Sequence, residues 1–341
     1  MGGEALGGMD FESFTYHGGN LGAARRLFPD APAPWIDLST GINPHAYPLP
    51  NLPREAWTRL PGGADIAGLE AIAAARYRAP EAAGIIAGAG TQLLIQTIAR
   101  LAAPSSVGVL GETYGGHARA WRAAGARVET VATLDALHAF DVAVVVNPNN
   151  PDGRLVRRAD LLDLHRRLAG GGGTLIVDEA FIDLLDGDAS LVAALPAERT
   201  IVLRSFGKTY GLAGLRLGFA IASPDRAGPL RAALGAWPVS GPAIAIGGAA
   251  LADAAWLERM RPLLAGEAAW LDRLLAGAGA TILGGTSLFR LIEHPDAPAL
   301  FGRLLRQGIL ARPFAGRPGW LRFGLPAGPE EWARLEAALG S

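Results

Sequence analysis

Between Ala83 and Ala222, short apolar runs alternate with helix-like stretches, and nothing else in the chain constrains its fold so strongly. "GIIAGAG" (84–90) is followed by the helical pattern "TQLLIQTIARLA". "SVGVLG" (106–111) precedes a helix through "HARAWRAAG", then "RVETVA" and "DVAVVVN" (141–147), with a further helix near 158–169. "TLIVDEAF" (174–181), "TIVLRSF" (200–206) and "LRLGFAIA" (215–222) complete the series. "VAVVV" and "TLIV" are apolar at every position, the pattern of strands covered by helices on both faces. Such alternation builds a largely parallel, doubly wound α/β sheet. In sheets of this kind, chemistry collects beyond the carboxyl ends of the strands.

After about Asp253 the texture changes. A long amphipathic helix over roughly 254–277 leads to "ATILGG", "SLFRLIEH", a helix near 297–306, "GILARPF", "WLRFGL" and a last helix from about Pro329. The expected division is a large α/β domain over 46–250 and a smaller α+β domain made of 1–45 and 251–341. The first 45 residues carry no sheet-core pattern and read as an arm over the junction. No internal repeat and no low-complexity tract stands out.

One basic residue is anomalous. The chain holds 31 lysine and arginine residues, of which Lys208 in "SFGKTYGLAGLRLGF" (205–219) is the sole lysine. A solvated surface charge is served equally well by arginine. A primary amine that must lose its proton and attack a carbon is not, because guanidinium stays protonated. Lys208 is therefore the first candidate for chemistry.

The remaining composition excludes classes of function. A net charge of −1 without a basic run gives no support to nucleic-acid or anionic-membrane binding. The chain has no cysteine, which removes disulfides and thiolate metal sites, and no metal site is expected. The N-terminus "MGGEALGGMDFESFTYHGG" is not a secretory signal. The longest apolar stretch, "GPAIAIGGAALA" (241–252), is too short and glycine-rich to span a bilayer. A soluble cytoplasmic protein is expected.

Several polar residues fall at strand ends around Lys208. Asp178 ends "TLIVD", and Asn150 lies in "NPNNPDG" (147–153) just beyond "DVAVVV". Gly90 and Thr91 sit at a strand-to-helix turn, where free N–H groups and the helix dipole suit a phosphate. Ser205 precedes the lysine by three residues, and Arg216 follows it by eight. Taken singly, each has an ordinary reading: Asp178 a strand-end carboxylate, "NPNNPDG" a turn, Ser205 and Arg216 capping and solvated groups. Together, an amine, a carboxylate, an amide and an anion cradle describe a pyridoxal 5'-phosphate pocket.

These segments resemble a known group. "NPNNPDG", "VDEAF" and "SFGKTYGLAGLRLGF" are similar to the fold-type I pyridoxal-phosphate enzymes of the aspartate aminotransferase superfamily, in its histidinol-phosphate aminotransferase-like branch. Within that branch, "YHGGN" (16–20) followed by "WIDLSTGINP" (35–44) resembles the threonine-phosphate decarboxylases of cobalamin biosynthesis. The resemblance implies that Lys208 carries the cofactor as an imine and then shuttles protons. It implies that Asp178 pairs with the pyridine nitrogen and that Asn150 meets the ring's phenolic oxygen. Tyr114 in "GETYGG", otherwise a core aromatic, would stack on the ring. Gly90, Thr91, Gln92, Ser205 and Arg216 would hold the phosphate. Arg322 in "WLRFGL", otherwise a strand-edge charge, would receive the substrate carboxylate.

His17, Asn20 and Gly41, with Asn150, are the further substrate candidates, although His17 alone also reads as a turn histidine. Arg312 and Arg317 lie in the smaller domain as possible phosphate ligands. Two positions depart from the relatives: Phe181 stands where many have tyrosine after "DEA", and Leu60 stands in "RLP" where they have "RYP".

The implied reaction is decarboxylation of L-threonine O-3-phosphate to (R)-1-amino-2-propanol O-2-phosphate, a homodimer acting on a small phosphorylated amino acid. Residue spacing does not choose between losing a carboxylate and losing a proton, because that depends on which bond stands perpendicular to the cofactor ring. Histidinol-phosphate aminotransferase or a related transaminase is the alternative. A non-catalytic effector-binding module is a third reading, disfavoured because no helix-turn-helix pattern or basic cluster precedes the first strand of the sheet series.

Overall fold

The computed structural model describes residues 12–15, 17–185 and 188–340. Tyr16 and residues 1–11 of the expected N-terminal arm lie outside the described residues. The strands in chain order are β1 (Ile36–Asp37), β2 (Gly84–Gly88), β3 (Ser106–Leu110), β4 (Arg127–Val131), β5 (Val142–Val146), β6 (Thr174–Asp178) and β7 (Thr200–Ser205). They continue as β8 (Gly218–Ala222), β9 (Thr281–Thr286), β10 (Phe289–Glu293), β11 (Ile309–Leu310), β12 (Arg312–Pro313) and β13 (Trp320–Gly324).

Contacts divide the chain into two compact units, one of Ala46–Met260 and one of Met1–His45 with Arg261–Ser341. The boundary near residue 260 falls inside the helix Ala254–Gly277, so the change of texture after Asp253 marks the start of that helix.

The larger unit holds a seven-stranded sheet of order β2-β8-β7-β6-β5-β3-β4. β8 runs antiparallel to both of its neighbours, and the other strands share one direction. Every residue of β3, β5, β6, β7 and β8 is buried, the apolar runs because both faces are covered, and Asp178, Arg204 and Ser205 as polar groups at strand ends. The covering helices bury one stripe each. Thr91–Ala102 turns Leu94, Ile95, Ile98 and Ala99 inward, and Arg158–Gly170 turns in Leu161, Leu164 and Leu168. Trp121, 1% exposed, joins Leu94, Val109, Val144 and Leu203 in one core cluster. Truncating a wholly buried leucine such as Leu203 to alanine costs about 2–5 kcal/mol.

The smaller unit holds a four-stranded antiparallel sheet of order β12-β13-β10-β9. It also corrects one reading of the sequence. The first 45 residues do contribute a strand: β1 pairs in parallel with β11, Ile36 to Ile309 and Asp37 to Leu310. The Ile36 and Leu38 N–H groups donate to the carbonyls of Gly308 and Leu310 at 2.9 and 2.8 Å. Two residues are too few to display a period, and their partner lies at the far end of the chain.

Candidate active site

The sheet order brings the large unit's candidates into a row. Reading along neighbouring strands β3, β5, β6 and β7, Tyr114, Asn150 and Lys208 follow the carboxyl ends of β3, β5 and β7, and Asp178 is the last residue of β6. The parallel registers Val146↔Asp178↔Leu203 set these ends level. Lys208, half-buried, sits in the single helical turn Phe206–Thr209 that follows β7. Its Nζ lies 5.9 Å from the centre of the Phe181 ring.

Asp178 is 3% exposed and has a built orientation. One carboxylate oxygen accepts from the Ala180 N–H at 3.2 Å, and the other meets His117 Nε2 at 2.9 Å. His117 is itself buried, and its Nδ1 has no hydrogen-bond partner among the described residues. The sequence reading missed His117. Its place three residues after Tyr114, at the start of the helix Gly116–Ala123, carries no signal in the sequence, since only the fold brings that helix to the end of β6. The Tyr114 ring stands edge-on to His117 at 6.2 Å, and its hydroxyl donates to Gln92 Oε1 at 2.7 Å. Gln92, a phosphate candidate, thus also orients Tyr114.

In the Asn147–Gly153 loop, Asn147 exchanges hydrogen bonds with Val156, its Nδ2 donating to the carbonyl at 3.0 Å and its Oδ1 accepting from the N–H at 2.7 Å. Asn149 Nδ2 donates to the Glu112 carbonyl at 3.0 Å and to Asp152 Oδ1 at 2.8 Å. These two asparagines fix the loop that presents the buried Asn150 beside the end of β5.

A second cluster forms across β2, β8 and β7, where Gly88, Gly218 and Ser205 stand in one cross-strand row. Gly90 caps the helix Thr91–Ala102 with φ +87, in the left-handed region that favours glycine. A Cβ at Gly90 would stand 2.7 Å from Arg216 Nη2, so the exposed guanidinium lies directly over the turn. Free N–H groups of a helix start, a strand-end hydroxyl and a guanidinium from another element form an anion cradle.

The smaller unit holds the other candidates. Arg322, on β13, is 3% exposed and is not the solvated edge charge its sequence position allowed. Its Nη2 donates to the Ser39 carbonyl at 2.6 Å, and its guanidinium lies 5.0 Å over the Phe289 ring. Arg312 is its direct cross-strand partner and is also buried. Burial, then the positive charge of Arg312, pushes Arg322 well below the ordinary arginine range, and Asp37 opposes this. Arg317 is exposed beside Trp320.

The two N-terminal motifs meet here. A Cβ on Gly18 would lie 2.2 Å from the Ser39 carbonyl oxygen, and one on Gly324 would lie 2.3 Å from that of Thr40. Gly19 N–H donates to Ser39 Oγ at 2.7 Å. Glycine at these points lets 17–20, 38–41 and 322–324 pack backbone to backbone, with Gly41 buried at the end of the middle segment. His17 is exposed, with Nδ1 3.0 Å from the Gly18 carbonyl. Asn20 caps the helix Leu21–Leu27 by accepting from Ala23 N–H at 3.2 Å, and its Nδ2 donates to the Ser13 carbonyl at 3.1 Å. Of the two departures, Phe181 is buried and Leu60 is exposed. Among the described residues, no cluster of histidine, aspartate or glutamate is arranged to hold a metal, and no helix is long and apolar enough to cross a membrane.

A model of the class I and II aminotransferases matches residues 64–338. The chain is 44% identical to a threonine-phosphate decarboxylase of Pseudomonas aeruginosa over 326 residues, 95% of this chain and 96% of that one. It is 43% identical to a threonine-phosphate decarboxylase of a Sinorhizobium species over 330 residues, 95% and 97% of the two chains. The fold matches that of a histidinol-phosphate aminotransferase from Sinorhizobium meliloti, solved in complex with pyridoxal-5'-phosphate. That match has a TM-score of 0.82 at 22% identity and covers 98% of this chain and 97% of that one.

Proposed function

The chain belongs to the class I and II aminotransferase family, and on that premise we propose that it is a pyridoxal-phosphate-dependent carboxy-lyase. It removes carbon dioxide from L-threonine O-3-phosphate and leaves (R)-1-amino-2-propanol O-2-phosphate, a step of cobalamin biosynthesis. The observation that carries this reading is near-complete alignment, at 44% and 43% identity, with two relatives of that name.

The residues of the larger unit fit the cofactor. The space above Gly90 that a Cβ would fill is roofed by Arg216, as a phosphate cradle requires, and Asp178 is buried with His117 fixing one of its oxygens. Gly90, Thr91, Ser205 and Arg216 would hold the phosphate, with Gln92 beside them. Asp178 would hold a proton on the pyridine nitrogen, Asn150 would donate to the phenolic oxygen, and Tyr114 would cover the ring. When bound, pyridoxal phosphate supplies an aldehyde and an electron-accepting ring for the pair released as a bond to the substrate Cα breaks.

Lys208 would supply the primary amine for the cofactor's aldehyde, and its Nζ would hold the proton that replaces the departing carboxylate on the substrate Cα. Arg322 and Arg312 supply two guanidinium groups for a substrate that carries both a carboxylate and a phosphate. His17, Asn20 and Gly41 stand in the segments packed against that strand. Phe181 leaves Lys208 facing a hydrocarbon ring where relatives place a hydroxyl.

The enzyme works as a cytoplasmic homodimer. Leu49, Trp57, Leu60 and Trp237 of the larger unit are each more than half exposed, apolar surface that a second copy would cover.

One assay tests the reaction. Purified protein is given threonine phosphate and carbon dioxide is measured; in parallel it is given histidinol phosphate with 2-oxoglutarate and glutamate is measured. Carbon dioxide from the first supports the reading. Glutamate from the second without carbon dioxide from the first overturns it in favour of transamination.

A further inference from the structure

Directly beside Asp178 and Lys208 lies a cluster of charges that the proposed chemistry does not use. Arg204, the residue before Ser205, places Nη1 2.9 Å from Glu179 Oε2 and 3.1 Å from Ser190 Oγ, while Nη2 pairs with Asp183 Oδ1. Its guanidinium stacks 4.3 Å over the Tyr77 ring. Glu179 also accepts from Ser190 Oγ at 2.6 Å and from the Leu191 N–H at 2.7 Å. Thr209, the residue after Lys208, donates its hydroxyl to Asp183 Oδ2 at 3.3 Å. All of this is inside the protein: Glu179 and Thr209 are 0% exposed, Arg204 5% and Asp183 7%. Among the described residues, no other arginine–carboxylate pair has both side chains this deeply buried.

The energetics make this cluster informative. Burying an ion costs several kcal/mol, and well-packed neutral groups of the same volume commonly give equal or greater stability. Two carboxylates share one guanidinium. Burial raises the pKa of Glu179 against the pull of Arg204, and the two carboxylates hold Arg204 firmly charged. What the cluster does have is reach. It touches the chain on both sides of the lysine turn, at Arg204 before it and Thr209 after it. It also holds the segment that leaves the Asp178 strand end at two points, at Glu179 beside Asp178 and at Asp183 two residues beyond Phe181. Because side chains of consecutive extended residues leave on opposite faces, Glu179 can be held from behind while Asp178 faces the site.

We propose that Arg204, through Glu179 and Asp183, is a positioning residue that locks the Lys208 turn and the Asp178 strand end in one register. It rests on the pyridoxal-phosphate reading for the meaning of that register, and it asks more of the chain than cofactor binding alone. The bridge is one that only a planar, two-armed cation can make.

The test separates positioning from stability. In the triple variant Arg204→Met, Glu179→Gln, Asp183→Asn, the charges go together, so no unpaired ion is left inside. In Asp183→Asn alone, the Arg204–Glu179 pair remains. Both are loaded with pyridoxal phosphate and assayed for carbon dioxide release, thermal midpoint and the pH midpoint of the visible absorption band, which reads the Lys208 nitrogen. Hydrogen exchange at 179–184 and 206–210 is followed in the cofactor-free proteins.

The expected result for the triple variant is a thermal midpoint near that of wild type, kcat lower by about 10²-fold, a band midpoint moved by about one pH unit, and faster exchange in both segments. Asp183→Asn shows the same signs with kcat lower by about 10-fold. Unchanged band midpoints and exchange in a folded variant overturn the proposal, as does an activity loss that only tracks the thermal midpoint. If the triple variant does not fold, Asp183→Asn decides by the same criteria. Wild type without carbon dioxide release would sink the decarboxylase reading, while the spectral and exchange readouts would still judge the positioning role.

Discussion

The two units present their candidate residues in contrasting ways. In the larger unit the groups stand at or just beyond the ends of neighbouring strands and are held partly within their own loops, as in Asn147–Gly153, and partly by neighbouring strand-end segments, as when His117 meets Asp178. In the smaller unit the groups are arginines on facing strands, buried under backbone from the start of the chain. The first arrangement depends on strand ends that the parallel sheet sets side by side. The second depends on distant segments arriving together, as when the Ser39 carbonyl accepts from Arg322. On the proposed reading, the cofactor cradle would be assembled from strand ends, whereas the substrate pocket would draw on distant segments that the topology brings near.

The contrast is sharpened first at its strongest point. Lys208→Ala should lower carbon dioxide release by on the order of 10⁴-fold or more, because no other side chain can supply a primary amine. It should also abolish covalent retention of the cofactor after borohydride. Arg322→Lys comes next. It keeps the charge and loses the fork, and kcat/KM should fall by about 10²-fold, with cofactor affinity unchanged in an absorbance titration. A parallel loss of cofactor affinity would break the division of labour between the units. Gly90→Ala should weaken cofactor binding by about 10-fold or more, since the new methyl meets both a positive φ and the Arg216 guanidinium. The smallest effect is expected at Asn20. Asn20→Ala removes a helix cap and should cost about 1 kcal/mol in a denaturant titration. Its kcat/KM for threonine phosphate should stay within about twofold if capping is its main work. A KM increase of about tenfold would instead place the Asn20 amide on the substrate.

These regions were also unequally legible in the sequence. The seven-stranded sheet was readable because its central strands β3, β5 and β6 are mainly apolar runs, and Asp178 and Lys208 stand at fixed offsets from such runs; the edge strand β4, RVETV, is largely exposed and carries a weaker pattern. The solitary lysine among arginines gave a second signal that owed nothing to structure. His117 was not readable, because a histidine at a helix start carries no mark of the carboxylate it will face. The strand Ile36–Asp37 was missed for lack of length, and the Arg312–Arg322 pairing because cross-strand register is set by a hairpin whose turn shows no strict signature. The Arg204 cluster was hidden differently. Glu179 and Arg204 lie inside the quoted motifs, yet the sequence does not mark that they pair with each other and with Asp183; only the fold brings them together.

The central claim is that the one ε-amine of this chain carries the cofactor, and a mass measurement addresses it most directly. Protein incubated with pyridoxal 5'-phosphate is reduced with borohydride, digested and sequenced by mass spectrometry. The account predicts a single reduced adduct, on the peptide containing Lys208. An unmodified Lys208, or an adduct confined to the N-terminal amine, would contradict it.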